Sequence, residues 1–196
     1  MIGYVSGKVL VKEPTHVVVD VQGIGYEVKI SLNTFSKIKN AEAVQLQTYL
    51  HVKEDALILF GFTDAEDKKA FLDLLSINGV GPSTALMVQS SLSTNDFKAA
   101  VVNEDVKTIQ SVKGIGGKTA QRIVLELKDK FKKDGLIAMA DSGAGSHNTL
   151  RNEALSALMT LGIGKPAAEK SIEAVLRRVG EEITLEELIK QALKTS

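Results

Sequence analysis

From residue 1 to 63 the apolar positions recur every second residue, in short runs. Val5, Val9 and Val11 stand among Ser6, Lys8 and Lys12, and Val17-Val18-Val19-Asp20-Val21 is β-branched. Tyr26-Glu27-Val28-Lys29-Ile30 alternates strictly, as do the runs from Val44 to Val52 and from Leu57 to Phe62. A period of two marks half-buried strands, and Gly23-Ile24-Gly25 is expected as a hairpin turn. Four or five such strands predict a small closed barrel, an OB-fold, over residues 1–63.

After residue 63 the period lengthens. Asp64 is placed to cap a helix running through Ala65 to Leu72, with acids in its first turn. Ser93 to Asp96 is a cap for a helix over Phe97 to Val102, and Asn103-Glu104-Asp105 for one over Val106 to Ser111. A longer helix is expected from near Lys118 to about Lys133, so residues 64–134 read as all-helical. Residues 135–148 dissolve into Gly, Ala and Ser, with Gly143-Ala144-Gly145-Ser146 as flexible linker material. Residues 149–196 predict a three-helix, UBA-like bundle: Arg151 to Leu161, a Gly162-Ile163-Gly164 turn, Pro166 to Val179, and Thr184 to Leu193. Pro166 suits a first helical turn, and Thr184 with Glu187 makes a capping box. A bundle this small has a marginal core, which suits a tethered partner-binding module.

One stretch carries more than packing. Val112-Lys113-Gly114-Ile115-Gly116-Gly117-Lys118-Thr119-Ala120 reads as a glycine turn feeding a helix N-terminus. Free N–H groups and the positive end of the dipole make such a place an anion site, typically for phosphate. The glycines at 114 and 116 are expected to take positive φ. Taken alone, the turn reads equally well as a loop between two core helices. However, the chain matches itself 35 residues earlier, over Ile77-Asn78-Gly79-Val80-Gly81-Pro82-Ser83-Thr84-Ala85, with Leu74 against Ile109 and Val88 against Ile123. A supersecondary unit used twice presents two phosphate turns side by side, the pattern of a tandem helix-hairpin-helix that grips DNA backbone. A P-loop is excluded, because the required glycine five positions before Gly117 is Val112.

Charge narrows the ligand. Residues 113–133 hold seven cations (Lys113, Lys118, Arg122, Lys128, Lys130, Lys132, Lys133) against Glu126 and Asp129, in a chain of net charge zero. That stripe suits a polyanion bound on one local face. Lys128 to Lys133 also suit a helix C-terminus, whereas Lys118 and Arg122 sit where the helix dipole disfavours cations. In residues 149–196 seven cations balance seven anions, so no DNA signal arises there. The chain has no cysteine, no apolar run of membrane-spanning length and no signal-peptide pattern, so a cytoplasmic protein without cofactor or membrane partner is expected. Glu54 and Asp55, between the last two strands, read by themselves as a solvated turn.

In order and in motif, the whole chain resembles the RuvA family of Holliday-junction recognition subunits. The likeness is carried by Met1-Ile2-Gly3-Tyr4-Val5-Ser6-Gly7, by His51 to Ala56, by Phe60-Gly61-Phe62 and by both hairpins. The resemblance implies a non-catalytic homotetramer, sometimes an octamer, that holds four-way DNA open and square. It implies DNA contacts at Gly79, Val80, Gly81, Ser83, Gly114, Ile115, Gly116, Lys118, Thr119 and Arg122. It turns Glu54 and Asp55 into an acidic pin near the tetramer centre, where carboxylates repel phosphates. It makes the C-terminal bundle the seat of the RuvB ATPase, with Leu158, Leu161 and Ile163 as contact candidates, and the RuvC resolvase a further partner. Family members often carry a cation where this chain has Ser83 and Gly117. Two other classes compete: a helix-hairpin-helix nuclease or glycosylase, and a generic tandem-hairpin DNA scaffold. The nuclease lacks a dense carboxylate cluster near the hairpins, and the glycosylase lacks spare aromatics for a base pocket.

Overall fold

The computed structural model describes residues 1–141, 147–179 and 183–195. Five strands form first: β1 (Tyr4–Glu13), β2 (His16–Val21), β3 (Ile24–Ile30), β4 (Ala43–Val52) and β5 (Leu57–Phe62). They close into a barrel in the order β1-β2-β3-β5-β4, antiparallel except for the β3–β5 pair. Val5, Val17, Val19, Val28, Ile30, Leu46 and Leu59 fill it, the alternate residues that the period of two points inward. The β2–β3 turn is Gln22-Gly23, both at positive φ, with Val21 paired to Ile24. It therefore sits one residue earlier than the sequence suggests, and Gly25 lies within the strand.

One element was not anticipated. Helix α1 (Leu32–Ile38) bridges β3 and β4, capped by the Ser31 hydroxyl, which accepts from the Thr34 N–H. Seven residues carry too little periodicity to announce a helix, although the Ser31 cap was there to be read.

Five helices follow: α2 (Ala65–Leu75), α3 (Pro82–Ser91), α4 (Thr94–Val102), α5 (Val106–Gln110) and α6 (Gly117–Asp141). The expected caps form. Asp64, Ser93 and Asp105 accept from the N–H groups of Asp67, Asp96 and Thr108. The barrel and these helices share one compact unit, Met1–Lys132, so the boundary expected at residue 63 separates no independent bodies. The reason lies in β5. Leu59 enters the barrel while Phe60 and Phe62 point the other way, onto Phe71 of α2 at centroid distances of 5.3 and 4.9 Å. Burying such a ring is worth about 1.5–3 kcal/mol, so the strand's outer face anchors the helical layer.

The second unit is Lys133–Ser196. Helix α6 passes its expected end near Lys133, so residues 135–141 are helical rather than linker, whereas Gly143-Ala144-Gly145-Ser146 lie outside the described residues. The bundle comprises α7 (His147–Thr160), α8 (Lys165–Val179) and α9 (Leu185–Thr195) around Ala154, Leu158, Ala168, Ile172, Val175, Leu188 and Ala192. The Thr184 hydroxyl oxygen accepts from the Glu187 N–H at 3.3 Å, as expected of a cap.

Candidate nucleic-acid interface

The two hairpins have the same backbone. Gly79 and Gly114 both take φ of 92°. The next residue closes each turn: the Val80 N–H donates to Ile77 O at 3.0 Å and the Ile115 N–H to Val112 O at 3.1 Å. Each exit helix then starts identically, with the Ala85 N–H on Gly81 O and the Ala120 N–H on Gly116 O, both at 2.9 Å. A serine ends each entry helix, the Ser76 hydroxyl donating to Asp73 O at 2.6 Å and the Ser111 hydroxyl to Thr108 O at 2.7 Å. That serine pair also obeys the 35-residue spacing, a signal the motif comparison could have used.

Four residues per turn anchor it. Ile77, Val80, Ala85 and Val88 are buried, and so are Val112, Ile115, Ala120 and Ile123. This corrects two expected contacts. The Val80 and Ile115 side chains are core, and their N–H groups are spent closing the turns. They shape the site without facing it.

What remains open is the N-terminal end of α3 and of α6. Helices α1, α2, α4 and α5 each receive a side-chain cap, whereas α3 begins at Gly81 with none. Among the described residues, no acceptor meets the N–H groups of Gly79, Gly81, Ser83 and Thr84, nor those of Gly114, Gly116, Gly117, Lys118 and Thr119. Exposed, unpaired donors at a helix start are an anion site.

The second glycine of each turn behaves otherwise than expected. Gly81 has φ of −90°, and Gly116 is likewise outside the left-handed region. A Cβ at either position would meet nothing within 4 Å. Neither backbone strain nor crowding within the protein requires glycine there, so the bare surface is room for a ligand to approach the N–H groups.

Charge is unequal between the turns. Lys113 and Lys118 are exposed and without a partner among the described residues, and Ser83 is exposed in the matching place of the first hairpin. Thr119 is half-buried at the third position of α6. Arg122 reaches out of its own motif: its Nη1 donates to Asn78 O, in the first turn, at 3.1 Å, and its Nε lies 3.8 Å from Glu126 Oε1. The rest of the basic stripe is partly committed elsewhere. Lys128 pairs with Glu104 at 2.5 Å, holding that carboxyl below the usual range, and Lys130 pairs at 2.5 Å with the buried Asp73. Beside the two turns themselves, the positive charge is that of Lys113, Lys118 and Arg122.

Away from the hairpins, Lys53 to Ala56 form the tip of the β4–β5 hairpin, closed by the Lys53 N–H on Ala56 O at 2.8 Å. Glu54 and Asp55 are exposed there and have no counter-ion among the described residues. In the second unit, Leu158 is fully buried at 0% exposure, Ile163 is half-buried on the same core and Leu161 stands 61% exposed. Leu158 is therefore structural, and the i, i+4 spacing from Ala154 to Leu158 already marked that face as core. The Gly162 turn also has φ of 92°, but its next residue, Ile163, donates to Leu158 O, five back rather than three. Among the described residues, no three His, Asp or Glu side chains gather as metal ligands would, and no helix is long and apolar enough to cross a membrane.

Comparison with known proteins assigns the modules. Residues 1–61 match the RuvA N-terminal domain, residues 71–129 the SAM-like helix-hairpin-helix tandem, and residues 149–196 the RuvA C-terminal domain. A protein of Cytophaga hutchinsonii described as Holliday junction branch migration complex subunit RuvA is 57% identical over 199 residues, covering 100% of both chains. Proteins with the same description from Amoebophilus asiaticus and Christiangramia forsetii are each 46% identical, over 99% of this chain and 100% and 99% of theirs. With the N-terminal, tandem-hairpin and C-terminal models matched in turn and the relatives matched over their full length, the chain belongs to the RuvA family.

Proposed function

We propose that this protein is the Holliday-junction-binding subunit of a branch-migration complex. One observation carries the reading: two hairpins of the same geometry each present an uncapped helix start, beside a local cluster of cations. Paired sites of this kind suit consecutive phosphates of a duplex arm, bound through main-chain N–H groups and read without regard to sequence. Gly79, Gly81, Ser83, Gly114, Gly116 and Thr119 supply the close-approach surface, and Lys118 and Arg122 add charge-assisted contacts.

Glu54 and Asp55 select geometry rather than bind. Two uncompensated carboxylates at a hairpin tip repel phosphates and so disfavour arrangements that bring strands together there. Four copies around one junction would place four such tips at its centre, and each copy would hold one arm. The protein performs no chemistry of its own in this scheme. The C-terminal bundle, through Leu161 and the adjoining apolar residues Leu185 and Ile189, recruits the RuvB ATPase, and RuvC is a further cytoplasmic partner.

The test is binding to a synthetic four-way junction and to a duplex of the same arm sequence, at matched salt with Mg²⁺. The wild type should prefer the junction strongly, and Glu54→Lys/Asp55→Lys should keep tight binding while losing the preference. Equal wild-type affinity for the two DNAs would leave only a generic tandem-hairpin binder.

A further inference from the structure

The 35-residue repeat relates Lys113 to Asn78, Lys118 to Ser83 and Arg122 to Met87. Every cation at these paired places belongs to the second hairpin. Yet one of them lies against the first: Arg122, on the second turn of α6, donates from Nη1 to the carbonyl of Asn78, 44 residues away. Asn78 immediately precedes Gly79, whose positive φ defines the first turn. The reciprocal link cannot form, because Met87 has no donor for the Lys113 carbonyl.

We propose that Arg122 is shared between the hairpins, as a positioning residue that fixes the first turn and as the cation which that turn lacks in its own sequence. The guanidinium presents five N–H donors in a rigid fork. Asn78 O takes one of them, and Glu126 lies loosely near Nε at 3.8 Å. An exposed i, i+4 pair of that length contributes little and is readily exchanged for a phosphate. The side chain is 51% exposed, so its remaining donors are open to a ligand seated at the uncapped start of α3. A lysine at the same place would keep the charge, but its single flexible ammonium lacks the planar fork that engages carbonyl and phosphate together. The strut is a property of the free protein. The shared-charge half rests on the DNA reading given above.

The experiment uses the full-length protein and the variants Arg122→Gln, Arg122→Lys and Arg122→Gln/Ser83→Lys. Amide spectra and hydrogen exchange without DNA test the strut. Arg122→Gln should shift the Gly79 and Val80 resonances and speed exchange of the Val80 N–H, which is bonded to Ile77 O, while Gly114 and Ile115, in the motif that carries the mutation, stay nearly unchanged. Unchanged Gly79 and Val80 amides would overturn the strut. Junction binding across a salt series tests the charge. Arg122→Gln should weaken affinity on the order of tenfold, the scale of one charged hydrogen bond, and lower the salt slope by about 1. Arg122→Lys should keep the slope yet still disturb the first-turn amides. Adding Ser83→Lys to Arg122→Gln should restore slope and affinity without restoring exchange protection. Failure of that rescue would overturn the shared charge. A wild type that bound no junction would sink the DNA reading and leave the strut to be decided by exchange alone.

Discussion

Ser83, Asn78 and Met87 occupy in the first hairpin the places that Lys118, Lys113 and Arg122 hold in the second. Even so, the two turns agree in glycine φ, in closing hydrogen bond and in buried anchors. Backbone shape and charge have therefore been specified separately. Shape follows from four buried side chains and one left-handed glycine, which both copies retain. Charge at the Ser83/Lys118 and Asn78/Lys113 places is a surface property that either copy can gain or lose without disturbing the turn, whereas Arg122 also braces the first turn through Asn78 O. The first hairpin offers N–H groups with little charge of its own, and the second offers both. A ligand gripped by the pair would be positioned by two sites and attracted chiefly by one.

Removing the charge from the richer site should have the largest effect. Lys118→Ala/Arg122→Ala is expected to weaken junction binding by at least about a hundredfold, since hydrogen bonds to charged groups contribute about 1.5–3 kcal/mol each. The salt slope should fall by about 2. Titrations over a salt series check both numbers, and Ser83→Ala in the first hairpin should scarcely register in the same assay.

Shape is the next target, and here the two hairpins should respond alike. Gly79→Ala and Gly114→Ala force a side chain into left-handed backbone at φ of 92°, at a cost of about 1–2 kcal/mol each. Denaturant unfolding should show similar losses for the two. A large inequality would mean that the turns, though alike in geometry, are not alike in strain.

The second glycines sharpen the contrast between fold and function. At Gly81 and Gly116 a Cβ meets nothing within 4 Å and φ is ordinary, so alanine should change stability by less than about 1 kcal/mol. Junction affinity should nonetheless fall for both variants, because the methyl group occupies the approach to the free N–H groups. Undiminished binding would show that these glycines do not face the ligand.

The smallest expected effect concerns pH. Each hairpin has an entry helix capped by an aspartate, Asp64 on α2 and Asp105 on α5. Partial burial pushes the Asp64 carboxyl up, but the Asp67 N–H and the Lys37 ammonium outweigh it and leave the group below its ordinary value. The Thr108 hydroxyl and N–H likewise hold Asp105 low. A depressed folded value means that the stabilisation is complete above the unfolded carboxylate pKa, about 3.9, and is lost as pH falls through the folded one. Thermal midpoints should thus show no pH dependence from these caps near neutrality, where their stabilisation is complete, and decline below about pH 4. Asp64→Asn and Asp105→Asn should each shallow that acid limb, as followed by circular dichroism.

Much of the site was legible because it is local. The 35-residue repeat, the positive-φ glycines at 79 and 114, and the caps at Asp64, Ser93 and Asp105 all rest on interactions within a few residues. The side chains of Val80, Ile115 and Leu158, contact candidates through the family resemblance, are buried, because a resemblance carries residues over by position and does not say which way each side chain points. The extension of α6 to Asp141 was missed for a different reason: residues of weak pattern continue a helix readily once it has begun, since each added residue gains a bond without a new nucleus.

By itself, then, the amino-acid order determined the strands of the barrel, the two turns, most of the capped helices and the acidic tip. These depend on alternation, on glycine and on side chains that reach their own backbone. Only the tertiary structure decided that Phe60 and Phe62 join barrel and helices in one unit, that Lys128 and Lys130 are bound to Glu104 and Asp73, and that Arg122 crosses to Asn78. Such contacts link residues tens of positions apart. Their geometry is set by how whole elements pack, which no local spacing encodes.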